Sequence, residues 1–270
     1  MLAPLAAVVL FLAAIVSAFW YLRLEEIDRE QEAVKRDVEY AQQRVRLRLL
    51  ERQEQLMRLA RDASGREIDF DEFVSRAESL VSQYPELQAL TWIDDRRRIR
   101  ASYAAPSINP SQLRLAGTVL RVGETESTYS LARDLQQPVY SQPASTQPTN
   151  AGDLADLLQL HIPLANHGRF TGMVLGEYSI DGLLRYGVPS EVSAKYAVSF
   201  LDGKGNLLAG STVSVHNHPA AQLGFANTPN EYEVPVSPVG NGLILRAQAY
   251  RASLGVVGSG LFWLVIALSG

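Results

Sequence analysis

Two uncharged apolar runs, residues 2–21 and 252–270, stand at the ends of this 270-residue chain, with a water-compatible stretch between them. A helix rises 1.5 Å per residue, so a run of about 20 residues is enough to cross a hydrocarbon core about 30 Å thick. Irregular backbone is not tolerated in lipid, so each run is expected to span as a helix, placing both ends on one side of a bilayer and the middle on the other. The chain stops inside the second run with no charge to close it, which reads as an input module whose output part lies beyond residue 270.

The first run has a competing reading. Val16, Ser17 and Ala18 offer the small residues a signal peptidase cuts after, which would leave a periplasmic protein with one anchor. An uncleaved anchor is preferred because no Lys or Arg precedes the run and it exceeds the usual signal core of about 7–15 residues. Phe19, Trp20 and Tyr21 also suit an interfacial aromatic belt. Absence of cysteine removes disulfides and cysteine-held metals from consideration and is compatible with an oxidising compartment. A net charge of -4 and a pI near 5.6 argue against a general nucleic-acid binder.

Residues 21–63 contain neither proline nor glycine. Apolar positions recur at Leu24, Ile27, Val34, Val38, Ala41 and Val45 in a 3-4-3-4 rhythm, with Gln31 filling the vacant place, then shift to Leu49, Leu56 and Leu59. The stripe behaves as if handed from one partner surface to another. Two readings stand. Either the helix packs only on its own domain, or Ile27, Val34, Val38 and Val45 form the seam of a homodimer near the membrane before the helix becomes the backing of the domain.

Ser64-Gly65 breaks this helix, and a second is expected over 69–83, stopped by Tyr84-Pro85. Strand patterns follow at 87–93 and 99–103 around a charged turn whose Arg96, Arg97, Arg98 and Arg100 read as a solvated tip. A short helix is expected over 128–135, a short strand over 139–141, and strands over 157–164 and 171–180. A second hairpin-loop-strand cycle covers 196–201, 207–210, 231–236 and 242–250. The expected fold is α+β, a long N-terminal helix backing two PAS-like antiparallel-sheet units, flanked by two transmembrane helices. The expected divisions are 1–21 first transmembrane helix, 22–83 stalk helix and second helix, 84–188 membrane-distal unit, 189–251 membrane-proximal unit, and 252–270 second transmembrane helix.

The segments LARDLQQPVYSQP, LLQLHIPLANHGRFTGMVLGEYSIDGLL and YAVSFLDGKGNLLAGS are similar to the tandem PAS-like periplasmic sensors of bacterial histidine kinases, the CHASE and double Cache group. The resemblance spans roughly residues 87–251. It implies a ligand-sensing region in the periplasm, anchored in the inner membrane, that signals to a kinase; a chemoreceptor, a diguanylate cyclase or an anchored envelope scaffold are the alternatives. The loop motif of the CHASE pattern and a complete amino-acid signature are both missing, so no ligand class is carried over.

No phosphate loop, zinc-protease motif or nucleophile elbow occurs, and no catalytic residue or cofactor is expected. His216 and His218, with no further ligand at a recognisable spacing, read as loop residues rather than a metal site. Alternation along 158–164 sends Leu158, Leu160, Ile162 and Leu164 to the long helix and Gln159 and His161 to the opposite face. Arg133, Tyr140, Ser141, His161 and Tyr178 are expected to converge there as a ligand site. An arginine beside hydroxyls suits a small carboxylate. The plainer alternative leaves Arg133 on the surface and His161 as a satisfied core residue.

Overall fold

A computed structural model describes residues 2–65, 67–108, 114–120, 125–145, 156–213, 231–236 and 242–250. Helix α1 (Leu2–Gly65) runs unbroken for 64 residues, about 95 Å. The first apolar run is its N-terminal part. Among the described residues no helix is long and apolar enough to cross a membrane, and residues 252–270 lie outside those described. Helix α2 (Phe70–Gln83) begins where the Asp69 carboxylate accepts the amide of Glu72, an N-cap, and buries Phe73, Ala77 and Val81 on one stripe.

Two antiparallel sheets follow. The first joins β1 (Leu87–Asp94), β2 (Ile99–Ala104), β3 (Val139–Tyr140), β4 (Ala144–Ser145), β5 (Asp156–Asn166) and β6 (Arg169–Ser179) in the order β2-β1-β6-β5-β3, with β4 also on β5. Helix α3 (Glu126–Leu135) lies over it. From β6 the chain passes straight into α4 (Ile180–Gly187), capped by the Ser179 hydroxyl on the Gly182 amide, then α5 (Ser190–Lys195). The second sheet has the order β8-β7-β10-β9, from β7 (Tyr196–Leu201), β8 (Leu207–Gly210), β9 (Glu231–Pro235) and β10 (Ile244–Ala249). The expected α+β class, the long helix and both sheets are present. The pair α4 and α5, which no periodic pattern announced, is additional.

One hydrophobic core runs through the whole arrangement and is threaded by α1. Val34, Val38, Ala41, Val45, Leu49, Leu56, Leu59 and Ala63 are all buried, at steps of three, four and seven, and Ala60 beside Leu59 is buried with them. The N-terminal part of this stripe serves the second sheet: Gln42 donates to the carbonyl of Pro235, Tyr232 donates to Glu39, and Tyr196 donates to Asp37. The C-terminal part serves the first: Tyr140 donates to the Leu49 carbonyl at 3.2 Å, Ser64 donates to Ala165, and Leu56 fills the space left by Gly176.

This corrects the dimer-seam expectation. Val34, Val38 and Val45 are 3%, 0% and 0% exposed within a single chain, so they meet the chain's own strands and have no surface left for a partner. The side chain of Ile27 lies outside the described residues. The stripe does hand over between Val45 and Leu49, but from one sheet of this chain to the other.

The two sheets meet α1 at a charged joint. Glu86, fully buried just before β1, accepts from Arg48 Nε at 2.7 Å and Arg52 Nε at 3.2 Å, while Arg48 also donates to the carbonyl of Tyr186 in α4. Arg52 lies 3.5 Å above the Tyr84 ring, and the Glu86 carbonyl accepts from the Ser179 amide at the end of β6. Burial pushes the Glu86 carboxyl up, but hydrogen bonds from Arg48, its own backbone amide and Arg52, together with the Arg48 charge, outweigh it and hold it below the usual carboxylate range.

Candidate functional site

Strand alternation gives the first sheet two unlike faces. Leu158, Leu160, Ile162, Leu164, Val174, Tyr178 and Leu90 belong to the large core shared with α1. The opposite face carries Thr91, Ile93, Gln159, His161, Met173, Leu175 and Glu177, and is itself covered. Tyr129 and Ala132 of α3 pack on Met173, Val139 and Phe170 at one end, and Leu120 packs on Ile93, Ile99 and Leu175 at the other.

Between these two apolar clusters sits a polar group of four. Glu177, only 6% exposed, receives both arms of Arg114, Nε at 2.9 Å and Nη2 at 2.6 Å, and the Gln159 amide at 2.9 Å. A bidentate pair of this kind fixes the carboxylate in one plane. His161 is 0% exposed, and neither of its ring nitrogens has a hydrogen-bond partner. The Tyr129 hydroxyl is equally buried and equally without one, with its ring edge-on to the imidazole at 6.2 Å between centroids. Native interiors rarely leave such groups unmatched, because each costs about 1–3 kcal/mol. Three unmatched polar atoms on two neighbouring rings leave hydrogen-bonding capacity on this covered face.

Burial pushes the His161 imidazole down to about 4, against a smaller upward pull from Glu177, so it is neutral near pH 7. A neutral imidazole offers one donor and one acceptor. Burial likewise raises the Tyr129 hydroxyl, leaving it protonated.

Arg97 closes the site from above. It forms a two-armed ion pair with Glu126 and places its guanidinium 4.7 Å from the centroid of the Tyr129 ring. The basic turn is therefore not simply solvated. Arg97 has a φ of 63°, an uncommon conformation for arginine, and pins α3 over the sheet.

Two of the five expected site residues occupy this face. His161 lies at its centre, and Ser141 lies at its edge with its hydroxyl committed to the Gln142 carbonyl and the Gln159 amide. Tyr140 and Tyr178 are corrected to the helix side: they pair in register with Leu160 and Leu158, and cross-strand partners share a face. Arg133 is corrected to the surface. The buried stripe of α3 is Tyr129 and Ala132, so the next residue turns away, and its guanidinium is 44% exposed and bound to Asp134. Arg114, Tyr129 and Glu177 join His161 here, with Gln159, which alternation along 158–164 already sends to this face. Alternation exposes Glu177 and Gln159 to a reader who fixes the register; Arg114 lies in an aperiodic stretch and gives no such signal.

Among the described residues no three His, Asp or Glu side chains are placed to hold a metal ion. His216 and His218 lie outside those described.

No family model and no curated protein matches the sequence. Solved structures do match the fold. A domain of a sensory box/GGDEF family protein from Vibrio parahaemolyticus gives a TM-score of 0.58 at 9% identity, covering 83% of this chain and 96% of that one. The extracellular domain of vpHK1S-Z8, described as a histidine kinase, gives 0.57 at 11%, covering 82% and 91%. The ligand-binding domain of the Campylobacter jejuni chemoreceptor Tlp3, in complex with L-norvaline, gives 0.52 at 9%, covering 82% and 91%. At these identities the likeness is one of fold, and that one fold serves three kinds of output.

Proposed function

We propose that this chain, whose fold is that of extracytoplasmic sensor domains of bacterial receptors, is the ligand-sensing region of a membrane-anchored signalling protein. The observation that carries this reading is the enclosed face of the first sheet, where His161 and Tyr129 hold unmatched polar atoms beside the Arg114–Glu177 pair. The ligand is a small molecule bound there. The unmatched His161 nitrogens and Tyr129 hydroxyl offer hydrogen bonds to a small polar ligand, and the Tlp3 domain's complex with L-norvaline makes amino acids the first class to test. The uncharged run 2–21 supports anchoring in the inner membrane with the sensor outside it, and the quoted sequence resemblance favours a histidine kinase as the output. The first sheet with α2 and α3 forms the membrane-distal unit and the second sheet the membrane-proximal one.

A thermal-shift screen of the whole chain with amino acids and small carboxylates tests the site. A bound ligand stabilises by RT ln(1 + [L]/Kd), about 2.7 kcal/mol at a hundredfold excess over Kd. The shift should vanish in His161→Leu and shrink in Tyr129→Phe, while Arg133→Ala responds as the parent does. An unaltered shift in His161→Leu excludes this face.

Dimerisation is proposed on the side of α1 turned away from the sheets. Tyr40, Leu47 and Leu50 are 45%, 60% and 37% exposed and spaced seven and three apart, the rhythm of a helix seam. Cysteines at Tyr40 and Leu47 should form intersubunit disulfides readily, whereas one at Val38 should not. Crosslinking through Val38 and none through Leu47 rejects this seam.

A further inference from the structure

The second sheet has its own set of buried polar groups on the face away from α1. In β7, Tyr196, Val198 and Phe200 join the core shared with α1, so Ala197, Ser199 and Leu201 point to the other side. That side is covered too, since these three residues are no more than 1% exposed. Register places Arg246 of β10 directly opposite Ser199 and Gln248 opposite Ala197, with Glu233 and Glu231 of β9 beside them.

Gln248 is fully engaged. Its Nε2 donates to Glu231 at 2.7 Å and its Oε1 accepts the Val213 amide at 3.0 Å, so it stands as a fixed wall. Its neighbours each keep one buried polar atom without a hydrogen bond, Arg246 doing so while ion-paired with Glu233. Ser199 Oγ and Arg246 Nε are both buried without a hydrogen-bond partner. The Arg246 guanidinium, 18% exposed, has Glu233 at 3.8 Å from Nη1, beyond hydrogen-bond reach and on a half-exposed side chain.

A buried donor without an acceptor is costly, and one on a cation more so. Ser199 and Arg246 face each other across a ladder, where side chains stand about 4.5–5.5 Å apart, close enough to share one acceptor. Both lack the same thing. We propose that this face of the membrane-proximal sheet is a second binding site, taking a small monocarboxylate whose oxygens accept from Arg246 Nε and Ser199 Oγ. Glu231 and Glu233 at the rim select against ligands with a second negative charge. The site shares no residue with the His161 face and does not depend on the reading given for it.

Acetate is the probe. In the whole chain held in detergent micelles, the Nε–H resonance of Arg246 is followed by nitrogen-15 NMR while acetate replaces chloride at constant ionic strength. A saturating downfield shift, absent with chloride alone, is expected. Ser199→Ala, nearly isosteric, should weaken acetate by roughly 5- to 10-fold; in Arg246→Lys, which lacks that resonance, the backbone amide of Ser199 is followed instead and should no longer saturate. His161→Leu should leave the titration unchanged. A linear response, equal affinity in Ser199→Ala, or a loss confined to His161→Leu overturns the proposal, the last by assigning acetate to the other sheet.

Discussion

Replacing Glu86 by alanine is expected to destabilise the chain by about 3–5 kcal/mol, the range for removing one partner from a buried ion pair. The cost arises from what is left behind. Arg52, 8% exposed, and Arg48 would keep their charges beside an empty position, and the link from β1 to α1 and α4 would be lost with them. Urea unfolding followed by the fluorescence of Trp92, which packs on Phe73 with ring centroids 5.4 Å apart, measures the loss. Glu86→Gln should fall between parent and alanine, because an amide oxygen still accepts a hydrogen bond. The acid dependence has a definite sign. A carboxyl held below its ordinary value stabilises the folded state above about pH 4.5, and that contribution disappears as pH falls through the folded value. An alanine variant as stable as the parent would reduce the joint to a passive contact.

The second large effect is a pH dependence centred on His161. Its imidazole titrates near 6.5 in an unfolded chain and near 4 when folded, so between those values the unfolded chain binds the extra proton. The His161 contribution to stability is therefore full above pH 6.5, falls as pH drops to about 4, and then levels off. At about 1.4 kcal/mol per pH unit the interval amounts to roughly 3 kcal/mol. Glu177 and Arg114 face the ring with opposite charges, and the Tyr129 ring adds none, so burial dominates. In His161→Leu the slope between pH 6.5 and 4 should flatten, while the loss of stability below pH 4.5 due to Glu86 persists. A slope undiminished in His161→Leu would place the titrating group elsewhere.

The sheets were legible because strands 87–94, 156–166, 169–179 and 196–201 alternate or run apolar between turn residues, and the physical period of a strand is two. That same period explains the errors at Tyr140 and Tyr178. Choosing Tyr178 in place of Glu177 is a slip of one residue, and one residue exchanges the face turned away from α1 for the helix face. Arg133 failed for the analogous reason on a helix, where the neighbour of buried Ala132 lies about 100° round the axis. Periodicity in α1 was read correctly, but a stripe reports only that something apolar covers it. Val34 and Val38 look the same in sequence whether a sheet or a second helix does the covering. Arg114 belongs to no periodic element, and only the fold brings it to Glu177.

Strand β6 gives way to α4 between Ser179 and Ile180 with no connecting residue. Ile180 and Leu183 are buried, Gly182 lies against the Glu86 backbone, and the chain continues into α5 and β7 within a few residues. Such a splice has no slack in length. One residue added at Ser179 would turn α4 by about 100°, unseating Ile180 and Leu183 and driving a side chain toward the backbone at Glu86. The seam thus works as a fixed spacer: the length of chain between the two sheets is set by the packing of α4, with no loop to absorb a change.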